Sequence, residues 1–333
     1  MKILLLLNSS LWDGRLHSRR LYVEFIYRLK EYCDFKVYGP NEHKYNSKET
    51  TPIEYNSKIN AKDLVNLFNP DVILSHHYHF MKNWIPKDIR TLSNTPVVHF
   101  EMDFHFIDNK NWWKDMGFNL VLSRDFVFSV KGIESVWVPL SADDVFYTDL
   151  NTNYIDNRIN KVLFIGNNPP EHKYYTVRRL AIKTLKEANL IDDKSFQRLN
   201  KNNEEIESLY LEYPHLLKQY RCGLSCAGGV LHSGVGKIYE TMASGTALLT
   251  QYFQENEILF GKEQCFFTYK DDCSDIVSQA NIILNDIDQV KEVTQNALSV
   301  INKYHLSSHR IIEVYNILYA LVQGFEIPIR WGR

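Results

Sequence analysis

Between His232 and Gln251 the chain reads HSGVGKIYETMASGTALLTQ, a glycine-spaced loop running into a short helical pattern and then an apolar strand. Those residue types at that spacing suit an anion. Gly234 and Gly236 let backbone approach a ligand closely, and the amides from Gly234 through Val235 and Gly236 fall where a helix begins, facing a group such as a diphosphate. Lys237 adds a cation. Glu240 lies one turn further on, and an ionised carboxylate can accept two hydrogen bonds from the vicinal hydroxyls of a ribose. Gly245 is the expected helix stop. A plain structural reading stands beside this one, because short Gly-x-Gly loops before helices are common in α/β proteins and a lone Glu on a helix is commonly a solvated residue.

The elements that must hold these groups follow from the apolar patterning. KILLLLN, FKVYG, DVILSH, PVVHFE, NLVLS and SVWVPL read as buried strands, alternating with helical patterns over about 17–32, 60–68, 86–93, NWWKDMG and RDFVFSVK. Such alternation implies a doubly wound parallel sheet. A polar stretch over 141–160 breaks the rhythm, and KVLFIG starts a second one, which sets the expected domains at 1–150 and 151–306, with a helix and tail over 307–333. Residues 192–205 read as a polar surface connection, and EIESLYLEYPHLLKQY as a helix broken at Pro214.

Further candidates lie where these strands end. Gly166 closes KVLFIG before a polar loop that is a second anion candidate. Arg178 and Arg179 follow early in the next helix, where either one suits a diphosphate as a bidentate fork or simply forms part of the helix's solvated face. In the first half, SHHYHF offers His77, HFEMDFHF offers Glu101, Asp103 and His105, and the first loop offers Asp13 and His17. Each is either a proton-transfer or acceptor-binding group, or a polar residue bonded to backbone. No Gly-x-Gly-x-x-Gly follows the first strand, which disfavours a dinucleotide cofactor there.

The totals exclude other classes. A net charge of −2 over 333 residues gives no global basic footprint, which counts against nucleic acid as the main partner. The 5 cysteines form no disulfide framework or zinc spacing, so free thiols in a reducing, cytoplasmic setting are expected, with no metal. The N-terminus lacks a signal-peptide pattern, and no apolar run is long enough to span a bilayer, which leaves only peripheral membrane contact.

KIYETMASGTALLTQ resembles the donor-nucleotide helix of GT-B glycosyltransferases, in which a Glu before Met-Ala-x-Gly holds the ribose of a sugar nucleotide. It is most similar to the spore-maturation (CgeB-like) members, which carry a basic residue where Lys237 stands. VWVPLSADDVFY, QENEILFGKEQCFFTY and HLSSHR are similar to further stretches of that family. The resemblance implies a GT-B fold of two Rossmann-like domains facing a cleft, donor on the second and acceptor on the first, with the last helix crossing back onto the first domain. It implies a nucleotide-diphosphate sugar as donor, UDP-linked by preference or GDP-linked, no obligatory cofactor or metal, and a hydroxyl acceptor on a glycan or other molecule. Many retaining members of family 4 carry a Glu eight positions before the ribose-binding Glu. Here that position is His232, a candidate for contact with the donor sugar, and retention or inversion stays open. Asp103 is the favoured base because related enzymes show Asp-x-His after the same strand.

Two other readings stay open. KIYETMAS also looks like the matching helix of bacteriophage DNA β-glucosyltransferases, which would make DNA the acceptor, with RLHSRR, Lys44, Lys48 and Lys58 as the basic cluster. A GT-B protein that binds a sugar nucleotide or glycan without turnover is the non-enzymatic alternative.

Overall fold

A computed structural model of the chain describes residues 1–7, 25–40, 55–76, 85–101, 111–126, 129–148, 157–168, 170, 173–196, 203–227, 232–261 and 264–331. It divides into two compact units, the first built from the chain up to Pro139 together with Ile311–Arg333, the second comprising Leu140–Arg310.

The first unit is a six-stranded parallel sheet. Its strands are β1 (Lys2–Leu6), β2 (Asp34–Tyr38), β3 (Val72–His76), β4 (Val97–Glu101), β5 (Leu120–Ser123) and β6 (Glu134–Trp137), in the order β2-β1-β3-β4-β5-β6. β3 and β4 are buried at every position, as continuous apolar strands covered on both faces must be. Helix α1 (Ala61–Phe68) starts where the sequence predicts, with Asn60 Oδ1 accepting the Asp63 N–H at 2.8 Å. Asn69, left-handed at φ 45°, ends it. The segment predicted helical over 86–93 is a 3₁₀ turn at Lys87–Thr91, whereas NWWKDMG yields the short α2 (Trp112–Met116). No helix is found among the described residues of RDFVFSVK.

The second unit is a five-stranded parallel sheet in the order β11-β10-β9-β7-β8. Its strands are β7 (Ile159–Asn167), β8 (Ile191–Phe196), β9 (Tyr220–Leu224), β10 (Ala247–Gln251) and β11 (Phe267–Tyr269). Helices α3 (Thr176–Glu187), α4 (Asn203–Gln219), α5 (Gly236–Ala243), α6 (Asn256–Phe260), α7 (Ile276–Asn285) and α8 (Ile287–Val300) cover it. Two expectations fail. The polar stretch from 192 begins as β8, paired from Val162↔Ile191 to Asn167↔Phe196. An edge strand needs a partner on one side only, so the ladder tolerates IDDKSF. α4 runs unbroken past Pro214.

The last helix, α9 (Ser307–Gln323), starts in the second unit and is counted with the first from Ile311 onward. Ile311, Val314, Ile317 and Leu318 are fully buried in the same cluster as Ile3, Leu5, Leu74 and Phe100. No helix among the described residues is long and apolar enough to cross a membrane.

Candidate nucleotide-binding site

In the second unit β7 leads to β8 on one side and β9 leads to β10 on the other, so the strand order reverses between β7 and β9. Parallel α/β sheets bind ligands in the crevice outside the carboxyl ends at that reversal. Gly166 is the penultimate residue of β7, and α5 follows β9 through the loop that includes His232–Val235.

Local sequence explains why α5 lies there. Val235 takes an extended conformation ahead of the first turn, its carbonyl accepts the Ile238 N–H at 2.9 Å, and no side chain caps the amides that open α5. At the other end the Gly245 N–H reaches Met242 O at 3.0 Å and the Thr246 N–H reaches Thr241 O at 3.3 Å, with Gly245 at φ 63°. This is the left-handed glycine stop read from the sequence. Arg158, buried, donates to Ser244 O at 3.0 Å and to Thr246 Oγ1 at 2.6 Å, adding a cation at the negative end of the helix. Nothing in the sequence singled Arg158 out.

Lys237 and Arg178 share one aromatic surface. Lys237 Nζ lies 5.0 Å from the centre of the Phe164 ring and 5.4 Å from that of Tyr213. The Arg178 guanidinium lies 5.8 Å from the Phe164 ring and 4.0 Å from that of Tyr175, and it donates to Asn167 O at 2.7 Å. A Cβ on Gly166 would collide with Lys237 Nζ, so the ammonium rests directly on the glycine backbone. Gly166, Arg178 and Lys237, far apart in sequence, thus meet at the end of β7. Arg179 is half-buried and engaged with a partner.

Glu240 is 1% exposed. Burial pushes its carboxyl up to about 7, against the pull of Lys237 and a hydrogen bond from Tyr213, while Asp143 adds to the rise. One of its oxygens, Oε2, is buried with no partner among the described residues. The same holds for Asn168 Oδ1 beyond β7, Ser225 Oγ beyond β9, Thr250 Oγ1 in β10, Glu255 Oε2 ahead of α6, and Arg178 Nε. Orphaned buried polar atoms are rare in proteins. Others lie elsewhere in the chain, but these six line the carboxyl edge of the second sheet.

His232 is exposed and holds a left-handed backbone at φ 46°, with Nε2 3.3 Å from Asp271 Oδ1. Gln251 Nε2 donates to the same Asp271 oxygen at 2.6 Å. Gly234 donates its N–H to Glu255 Oε1 at 2.7 Å. Glu255 was not singled out by the sequence, which shows it only as one of two acids in QENEILF.

In the first unit, Glu101 ends β4 wholly buried, its Oε2 3.1 Å from His99 Nε2, and His99 Nδ1 lies 2.7 Å from Ser75 Oγ. Its carboxylate is engaged with His99 inside the sheet. Asp13, His17, His77, Asp103 and His105 lie outside the described residues. The described cysteines are all free, four of them buried, and no group of three or more His, Cys, Asp or Glu among the described residues is set to hold a metal.

No protein-family model matches the chain, and no curated protein does. Among solved structures it is similar to a glycosyltransferase from Rickettsia africae ESF-5, with a TM-score of 0.63 at 13% identity over 97% of this chain and 98% of that one. It is also similar to HepE of Anabaena, solved with UDP-glucose, with a TM-score of 0.62 at 13% identity over 96% and 100%. Sucrose-phosphate synthase of Thermosynechococcus elongatus gives 0.61 at 11% identity over 97% and 100%. At such identities the likeness shows the fold, a GT-B fold with two parallel-sheet Rossmann-like domains.

Proposed function

We propose that the protein is a nucleotide-sugar-dependent glycosyltransferase whose second unit binds a nucleoside diphosphate sugar, UDP-linked by preference and GDP-linked as the alternative, at the start of α5. The observation that carries this reading is Glu240, a buried carboxylate with a spare oxygen, one turn from Lys237 and from the uncapped amides of α5. In the proposed site the ribose hydroxyls donate to Glu240, and the diphosphate meets the α5 amides, Lys237 and Arg178. When the bond from the anomeric carbon to the diphosphate breaks, the electron pair stays on the leaving oxygen. The fixed cations and amides then stabilise that charge without a metal ion. The acceptor hydroxyl, on a glycan or other molecule, forms the new bond to the anomeric carbon and gives its proton to a base.

Asp103 is proposed as that base, with Asp13, His17, His77 and His105 lining the acceptor side. Glu101 enters through its bond to His99. His232, steadied by Asp271, is proposed to contact the donor sugar. HepE, solved with UDP-glucose, supports the preference for a UDP-linked donor through the shared fold. Domain limits of 1–150, 151–306 and 307–333 are proposed as the functional division.

Titration of the protein with UDP and UDP-glucose by calorimetry tests the site. Wild type is expected to bind both, and Glu240→Ala to weaken both by at least about tenfold, the loss of hydrogen bonds to a charged acceptor. Unchanged affinity in Glu240→Ala would sink the assignment. Transfer or hydrolysis from a panel of nucleotide sugars separates an enzyme from a binding protein.

A further inference from the structure

Glu255 lies between β10 and α6, 3% exposed. Its Oε1 is taken by the Gly234 N–H at 2.7 Å, and its Oε2 is buried without a partner among the described residues. A Cβ on Gly234 would stand 3.4 Å from that Oε1 and 3.3 Å from the Phe253 ring, so the loop backbone lies close against both. Burial raises the Glu255 carboxyl, and backbone hydrogen bonds from Gly234 and from its own amide, with His232 nearby, oppose the rise. A carboxylate is a costly way to anchor backbone amides, since a neutral amide oxygen would serve with no charge to desolvate. The spare oxygen is what a carboxylate adds, and the chemistry that satisfies it is a hydroxyl donor.

The geometry of the donor says which hydroxyl. In a nucleotide sugar the diphosphate lies between the ribose and the glycosyl group, so the two sugars leave it on opposite sides. Glu240 is four residues inside α5, about 6 Å along its axis, and Glu255 grips the loop two residues before α5 begins. With the diphosphate at the amide end, the ribose falls on the Glu240 side and the glycosyl group on the Glu255 side.

Resting on the nucleotide-sugar reading above, we infer that Glu255 is a specificity-determining residue whose Oε2 accepts a hydrogen bond from a hydroxyl of the transferred sugar. Glu255→Gln isolates that atom: the amide oxygen still takes the Gly234 N–H, and the spare acceptor becomes a donor. Calorimetry on the full chain compares UDP-glucose, UDP-N-acetylglucosamine and GDP-mannose, each against its bare nucleoside diphosphate. The variant is expected to bind the bare diphosphate within about twofold of wild type and to bind the best sugar nucleotide about tenfold more weakly. Glu255→Asp, which keeps the charge and shortens the reach, is expected to show the same selective loss and serves if the Gln variant melts early. Equal losses for the diphosphate and the sugar nucleotide would make Glu255 a loop anchor only and overturn the inference, as would no loss in either. A wild type that binds no nucleoside diphosphate overturns the nucleotide-sugar reading itself, a result distinct from an unselective Glu255 variant.

Discussion

At the scale of single residues, Glu240 carries opposing demands. The carboxyl is raised by burial, so the folded state holds its proton more tightly than the unfolded chain does. Stability from this group is therefore present below the ordinary carboxylate range and is lost as the pH rises through about 7. The span corresponds to about 3 kcal/mol. Glu240→Gln is expected to match wild type near pH 4 and to exceed it at pH 8, as read from urea unfolding midpoints. A constant difference across that range would refute the burial argument. Binding carries the opposite sign, since ribose hydroxyls need the ionised fork. The affinity for UDP is expected to fall as the pH drops below about 7, with proton release on binding visible as a buffer-dependent calorimetric heat. The buried thiols are inert for the same reason, with Cys222 pushed well up by complete burial. A thiol reagent at pH 8 is expected to react with all 5 cysteines only after denaturation.

At the scale of elements, the position of α5 depends on how closely it meets β9. A Cβ on Gly223 would stand 2.7 Å from Thr241 Cγ2, too close for any real packing. Gly223→Ala is expected to cost about 1–3 kcal/mol by overpacking and to weaken UDP binding by displacing the helix. Thr241→Ser removes the obstructing methyl, so the double variant is expected to recover stability relative to Gly223→Ala. Additive losses in that cycle would show that the contact is not the cause. Asn60 gives a cleaner case at the start of α1, where its side chain takes the Asp63 amide. Asn60→Ala should lower stability by about 1 kcal/mol and leave nucleotide binding unchanged. The start of α1 near residue 60 was legible in the sequence because a cap is a local bond. β8 was not, because whether IDDKSF pairs depends on a neighbour, β7, that is distant in the chain.

At the scale of the whole molecule, the first unit is completed by the end of the chain. Ile311, Val314, Ile317 and Leu318 are buried among strands from the first half, and burying each side chain is worth about 1.5–3 kcal/mol. Together they rival the net stability of a typical domain, about 5–15 kcal/mol. A chain ending at Arg310 is expected to lose the cooperative melting of the first unit. Its retention would show that α9 is dispensable. The sequence by itself determined the alternation of strand and helix, the parallel sheets, the helix over Gly236–Ala243 with its glycine stop, and Lys237 and Glu240 as the pair to watch. These follow from periodicity and from local backbone chemistry. Only the tertiary structure decided that Lys237 rests on Gly166 beside Arg178, that Arg158 closes the far end of α5, and that Glu255 holds Gly234 with an oxygen to spare. Those relations join residues 21 to 86 positions apart, and no local propensity encodes them. They exist because a parallel sheet brings the carboxyl ends of its strands to one edge, where Lys237, Arg178 and Glu255 lie, and their amino ends to the other, where Arg158 lies.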